Sequence, residues 1–409
     1  MCILLRDKGY NHMANKRCFY AIKAVALGPE GATSIVTTNS SSAAPTSTTQ
    51  YQVVHGLQSC GINTNFNLEQ VFELGQLAIY ENIENIPDVE ISLEKVLDGY
   101  APMYCLATMG STGSDLSGRS TKKSQFLMSI FNDDQKFASG TPVAALLCSG
   151  VYPQSVSFSF PVEGNQTESL TLIGTHKLWY SDVNSTPLKG VVFGPAEDSP
   201  FAIGASGGVG RRENVVFAPN TLSAFYGASV DNNGIPITDK VTVLPTQIPG
   251  ISSSGLNLKT GDEFNCHVQS IEVSVNLGRD TLFELGRRTP YFRFVTFPTE
   301  VTCAITVMGT GGDNISALED GGVNGAGAGS NLKNETIRIR TMNGLFVDLG
   351  VKNKIQSITY GGADAGGGND TVTYNFSNFN DLDVKHTSDP TALLRPTALS
   401  SNQFTNTFV

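Results

Sequence analysis

The chain reads as an all-β protein with minor helix, and three observations carry that reading. Short runs of Val, Ile and Phe alternate with polar residues, the period of a half-buried strand. Gly, with 42 copies, stands with Ser, Thr and Asn between those runs, and charged residues supply only 16% of the 409 positions, the profile of a β protein with many turns. The third observation is that one stretch is written twice. Gln58-Ser59 matches Gln269-Ser270, Asn65 matches Asn276, and Phe72-Glu-Leu-Gly75 matches Phe283-Glu-Leu-Gly286. Tyr80 then falls on Tyr291 and Pro87 on Pro298, all at one offset of 211 residues. Further on, Ser155 to Phe158 with Glu168 to Leu172 echoes Ser357 to Tyr360 with Asp370 to Tyr374, at an offset shorter by one deletion. A duplicated module of ~125 residues, the size of a domain, accounts for both.

Residues 1–50 form an N-terminal arm, because Ser40 to Gln50 is nearly all Ser, Thr, Ala and Pro and cannot repay its ordering entropy. Met13-Ala-Asn-Lys16 also reads as an ordinary start, which leaves the beginning open between Met1 and Met13. The first β-module spans 51–182. Within it Val89, Ile91 and Leu93 alternate as a strand, and Leu93, Val96, Leu97, Tyr100 and Tyr104 fall at helical spacing, with Gly99 and Pro102 making that helix irregular. Ser155 to Phe160 and Glu168 to Leu172 read as a hairpin turning at Gly164-Asn165.

Residues 183–258 have no counterpart in the repeat and are punctuated by seven prolines, so they form a linker or a small inserted β-domain. The second β-module spans 259–385. It has strands at Val301 to Val307, Thr336 to Arg340 and Leu345 to Leu349, a helical candidate at Asn314 to Glu319, and a flexible Gly321 to Ser330. Residues 386–409 form a C-terminal arm.

Net charge is −10 with a pI near 5.0, so a nucleic-acid-binding surface is not the default. Seven cysteines, an odd number without a Cys-x-x-Cys pair, point to reduced thiols rather than disulfides or zinc. No apolar run reaches membrane-spanning length and Met1 to Tyr20 carries charges, so neither a membrane anchor nor secretion is expected.

Chemistry is sparse. Gly204-Ala-Ser206-Gly-Gly208 fits G-x-S-x-G but lacks the strand-to-helix setting a nucleophile elbow requires. The five histidines are scattered, and Gly110 to Lys123 lacks phosphate-loop spacing and reads as a mobile loop. No catalytic residue, cofactor or metal is expected. The charges are more telling. The first copy carries Glu73, Glu81, Glu84, Asp88 and Glu90, whereas the second carries Arg279, Arg287, Arg288 and Arg293. Solvated faces that drifted apart explain this, or the two copies meet across a subunit boundary and the charges fix the pairing.

The run Gly61-Ile-Asn-Thr-Asn-Phe-Asn-Leu-Glu-Gln-Val-Phe-Glu-Leu-Gly75, followed by Tyr80 to Gly99, resembles the tail tube proteins of tailed bacteriophages. Ser155 to Gly164 and Gly350 to Val384 are also similar to phage virion proteins of that kind. The resemblance implies β-sandwich or barrel modules with a flanking helix, assembled as stacked rings around a DNA channel in the virion tail after synthesis in the host cytoplasm. Such rings are commonly six single-module subunits. A duplicated module then implies three chains with pseudo-sixfold symmetry, or six chains with the second module outside. Implied partners are further copies of the chain, other tail proteins (sheath, baseplate, terminator) and DNA passing without specific binding. Another virion component is the alternative, with a carbohydrate-binding or hydrolytic β-protein behind it.

Overall fold

The computed structural model describes residues 23–33, 50–75, 77–131, 142–180, 209–215, 242–245, 248, 267–287, 289–308, 334–341, 343–361, 369–387 and 389. The fold is all-β with minor helix. The helical segments among these residues are α1 (Met103–Ala107), α2 (Leu116–Ser120) and one 3-10 turn (Arg212–Asn214).

The repeat is a repeat of strands. In the first copy β3 (Leu57–Asn65) pairs with β6 (Asp88–Val96), and a hairpin of β4 (Leu68–Phe72) and β5 (Ile79–Glu84) projects between them. In the second copy β11 (Val268–Asn276) pairs with β14 (Glu300–Met308), with the hairpin β12 (Arg279–Leu282) and β13 (Phe292–Val295) between. Hairpin registers coincide at the offset read from sequence: Leu68 faces Glu84 where Arg279 faces Val295, and Val71 faces Glu81 where Leu282 faces Phe292. Even the irregularities repeat, since β3 slips between Leu57 and Ser59 and β11 between Val268 and Ser270.

The repeated residues hold these turns. Asn65 Oδ1 accepts from Asn67 N (3.2 Å) and Asn276 Oδ1 from Gly278 N (3.1 Å), so each hairpin leaves its strand through the same side-chain-capped turn. Both hairpin glycines, Gly75 (φ 93°) and Gly286 (φ 84°), occupy the left-handed region that a side chain strains.

The last strand pair of each module follows suit. β8 (Ala144–Pro161) and β9 (Thr167–Gly174) form the hairpin expected around Gly164, matched by β17 (Lys354–Gly361) and β18 (Thr371–Phe379). One adjustment is needed. Ser155 faces Thr171 and Ser157 faces Ser169, while Ser357 faces Asn375 and Thr359 faces Thr373, so β18 sits two residues further along than Asp370 to Tyr374 indicated. Alternation hides a slip of two, because the same side chains stay on the same face.

Pairing order within the continuous sheet is β3-β6-β9-β8-β11-β14-β18-β17, four strands from each copy. Its inner face is apolar: Ile91, Leu93, Phe158, Leu170, Ile271, Val273, Cys303, Ile305, Tyr374 and Phe376 are all buried in one core shared by both copies. Two second layers cover this core. Under the first copy lie α1 and the first half of β8, which pairs with β7 (Ser124–Ile130) and through it with β1 (Lys23–Pro29) and β2 (Gln52–Val53). Under the second lies a small sheet of β15 (Arg338–Arg340), β16 (Leu345–Asp348) and β19 (Asp383–His386). β10 (His176–Tyr180) also pairs with the first half of β8.

Two local expectations fail. Leu93 and Val96 belong to β6, and the helix starts only at Met103, after Pro102 has set a non-helical entry. Gly110 to Lys123, expected to be a mobile loop, holds α2, capped where Asp115 accepts from Gly118 N (3.3 Å). Its Arg119 is buried and donates to Thr108 Oγ1 (2.9 Å), to Val384 O (3.1 Å) on β19, and to Asp389 Oδ2 (2.7 Å).

Cys60, Cys105, Cys148 and Cys303 are free thiols, and Cys2, Cys18 and Cys266 lie outside the described residues. So do most of both arms and of the insert, Ser206, Arg288 and the stretch from Asn314 to Ser330. What is described of the insert is pinned to both modules. Gly210 N donates to Leu97 O (2.7 Å), and Val243 pairs with Arg338. No helix among the described residues is long and apolar enough to cross a membrane.

Candidate assembly interface

The two modules join through β8 and β11, antiparallel from Ser155 facing Asn276 to Pro161 facing Ser270. Around this seam the second copy's hairpin is clamped onto the first copy. Arg279 Nε donates to Pro153 O (2.6 Å) and its Nη2 to Ser120 O (2.7 Å), with the guanidinium 4.8 Å from the Tyr152 ring centre. Burial pulls the Arg279 pKa down to about 10. Tyr152 meets Phe292 edge-on (5.6 Å), and Arg293 pairs with Asp88. Between the module 1 loop at Glu84 to Asp88 and the second hairpin lies a cleft of about 470 Å³.

β8 and β11 are thus the last strand of one module and the first of the next. The corresponding strands at the far ends, β17 and β3, pair in the sheet only with β18 and β6 among the described residues. Backbone groups along their outer sides form two sheet edges, templates for another strand.

Opposite the core, the sheet's other face is small and polar. One cross-strand row runs Ser59, Glu94, Ser169, Ser157, Ser274, Thr302, Ser377 and Lys354. Glu90 and Glu272 are also exposed here, and Lys354 at the corner is the row's only cation.

The sequence-picked charges divide into three groups. Asp88, Arg279 and Arg293 meet at the internal seam, so that opposition of signs operates inside one chain. Glu90 projects from the polar face. Glu73, Glu81, Glu84 and Arg287 lie on the exposed hairpins, Arg287 beside Glu284 (3.8 Å) and Tyr291 (5.7 Å), while Arg288 lies outside the described residues. The hairpins are also conspicuously apolar at the surface: Leu74, Leu77 and Leu285 are fully exposed, and Phe72 and Phe283 are each about three-fifths exposed. Phe297 and Phe379, at the outer end of the second module, are exposed too. Sequence reading passed over these apolar residues because it weighed charge alone, although the FELG repeat lay in plain view.

No family model matches the chain, and no curated protein does. A chain of the anti-feeding prophage baseplate is similar at 11% identity and a TM-score of 0.29, covering 40% of this chain and 96% of that one. A chain of the sheath-tube complex of the PVC extracellular contractile injection system, in its extended state, gives 11% identity and 0.28, over 41% of this chain and 95% of that one. A chain of the anti-feeding prophage tube-terminating cap gives 15% and 0.28, over 44% and 100%. Scores this low decide neither fold nor role. Among the described residues no group of three or more His, Cys, Asp or Glu is placed to hold a metal.

Proposed function

We propose that this chain is a structural virion protein of the tail-tube kind, three copies of which close into a ring that stacks into a conduit for DNA. One observation carries the reading: the seam joins two like modules edge to edge, and the same two edges recur at the ends of the eight-strand sheet. Repeating the seam between chains sets β17 of one copy antiparallel to β3 of the next. Carried over by the repeat, the seam register places Ser357 opposite Asn65, Ile358 opposite Thr64 and Thr359 opposite Asn63. Closure satisfies both edges, whereas an open series would leave them exposed.

Because the inner face is already buried under second layers, the Ser/Thr-rich face is the one left to line the channel. With Glu90, Glu94 and Glu272 and almost no cations, it lacks the Lys and Arg contacts through which proteins hold phosphates, as suits DNA in transit. Exposed hairpin residues, Glu73 and Arg287 among them, are then contacts between neighbouring subunits or rings. A six-chain ring, or another tail component such as a baseplate or cap protein, is the competing reading.

The test pairs Asn63→Cys with Thr359→Cys in one full-length chain. Facing residues on antiparallel strands lie ~4.5–5.5 Å apart at Cα, within disulfide reach. Oxidation of the double variant should give covalent trimers, with six-lobed rings in end-on electron micrographs. Monomers under every assembly condition would refute the proposal, and covalent hexamers would transfer it to the six-chain ring.

A further inference from the structure

The repeat also says which side chains meet where one chain follows another, and they differ in kind from those at the seam. Resting on the ring reading above, we infer that the junction between chains is built from one ion pair, Lys354 with Glu81 of the next copy, set beside an apolar contact of Phe297 and Phe379 with Phe72 and Ile79 of that copy.

Each pairing follows from register. Tyr152 faces Ile173 on β9 as Lys354 faces Ser377 on β18, with the same bulge just beyond, so Lys354 is the equivalent of Tyr152. Phe292 faces Leu282 as Glu81 faces Val71, so Glu81 is the equivalent of Phe292. Where the seam has Tyr152 against Phe292 at 5.6 Å, the chain junction has Lys354 against Glu81. Both are exposed in the single chain, and their charges are opposite.

The cleft transforms in the same way. At the seam it is walled by Ile86 and Thr175 of the first module and by Phe283 and Pro290 of the second. The equivalents are Phe297 and Phe379 on the leading chain, and Phe72 and Ile79 on the following one. These four are exposed by 44%, 59%, 62% and 43%, a good deal of apolar surface for a protein to leave in water. Superposing the seam on the chain junction brings them to the two walls of one cleft. Arg279, the seam's clamp, becomes Leu68, itself 61% exposed. The occupant is therefore a second copy of this chain, in one register.

Charge reversal in the full-length chain tests this, read as the protein concentration at half-assembly by analytical ultracentrifugation. Glu81→Lys alone and Lys354→Glu alone should each raise that concentration roughly tenfold, and the two together should return it to within about twofold of the parent. Phe379→Ser should prevent assembly with little change in monomer melting, because the side chain is already exposed. If the parent forms rings but neither reversal shifts the midpoint, or the double variant fails to recover, the inferred junction is wrong while the ring stands. A parent that forms no rings overturns both.

Discussion

The chain contains one module junction that is covalently tethered and, on the proposed closure, a second that is not, and the two are made of different chemistry. At the seam, Arg279 donates into Pro153 and Ser120 carbonyls and Arg293 meets Asp88. At the outer edges Leu68 stands where the seam has Arg279 and Asn82 where it has Arg293, while Phe297 and Phe379 stand where it has Ile86 and Thr175, with a single ion pair in prospect. Tethering explains the contrast. The linker between modules supplies a high effective concentration, so the seam needs only to fix geometry, for which directional arginine bonds serve well. A junction between separate chains must also recover the translational and rotational entropy of association, and apolar burial is the larger source of that free energy.

The most damaging way to break the tethered side is through Arg119. Its guanidinium sits buried on α2 of the first module and reaches Asp389 and Val384 O at the end of the second, so it ties the layers beneath both copies together. Arg119→Ala leaves the Asp389 carboxylate buried without this partner, and should cost about 3–5 kcal/mol in urea unfolding. A cost below about 1 kcal/mol would show that the two underlayers are held independently.

Sharpening the comparison calls for making the seam resemble the chain junction. Arg279→Leu places at the seam the residue type found at position 68. The carbonyls of Pro153, Ser120 and Arg293 each lose a donor, so the monomer should lose about 1–3 kcal/mol by chemical denaturation. An unchanged midpoint would mean that the β8-β11 ladder holds the seam without its clamp.

How much of this was legible beforehand follows from what a repeat preserves. Asn65, Asn276, Gly75 and Gly286 stand out because their turns need those residue types, so the correspondence of the two stretches could be read directly, although the hairpins they form could not. Alternation likewise gave β6, β8, β9 and β14. The seam was invisible, because backbone pairing between β8 and β11 leaves no mark on side-chain identity. Arg119 was hidden for a different reason: Gly, Ser and Thr around it read as a mobile loop, and only the fold brings Asp389, distant in sequence, to bury and pair it. Opposite charges in the two copies were read as a pairing signal between chains, whereas Asp88 and Arg293 form their ion pair within one chain.

The smallest expected effect concerns polar groups in the layers beneath the two copies, where titration of the fold should expose an opposition. Glu168 is buried, and desolvation raises its pKa to about 7 even though Met103 N (2.6 Å) and Tyr104 N (2.8 Å) donate to it. Between about pH 4.5 and 7 the folded protein therefore holds a proton that the unfolded chain has released, so this carboxyl favours the fold as pH falls. Two histidines act the other way. Desolvation lowers His55 to about 4 and His386 to about 3, so below about pH 6.5 the unfolded chain gains protons that the folded one refuses, and stability is lost on acidification. The parent's loss from pH 7 to 5 is thus partly offset by Glu168. Glu168→Gln removes the offset, and whatever its effect at pH 8, its stability should fall more steeply than the parent's over that window, by an amount on the order of 1 kcal/mol. Urea midpoints at pH 5, 6, 7 and 8 measure the slope directly; parallel curves for the two proteins would mean that Glu168 is already ionised in the fold and that its two backbone donors outweigh its burial.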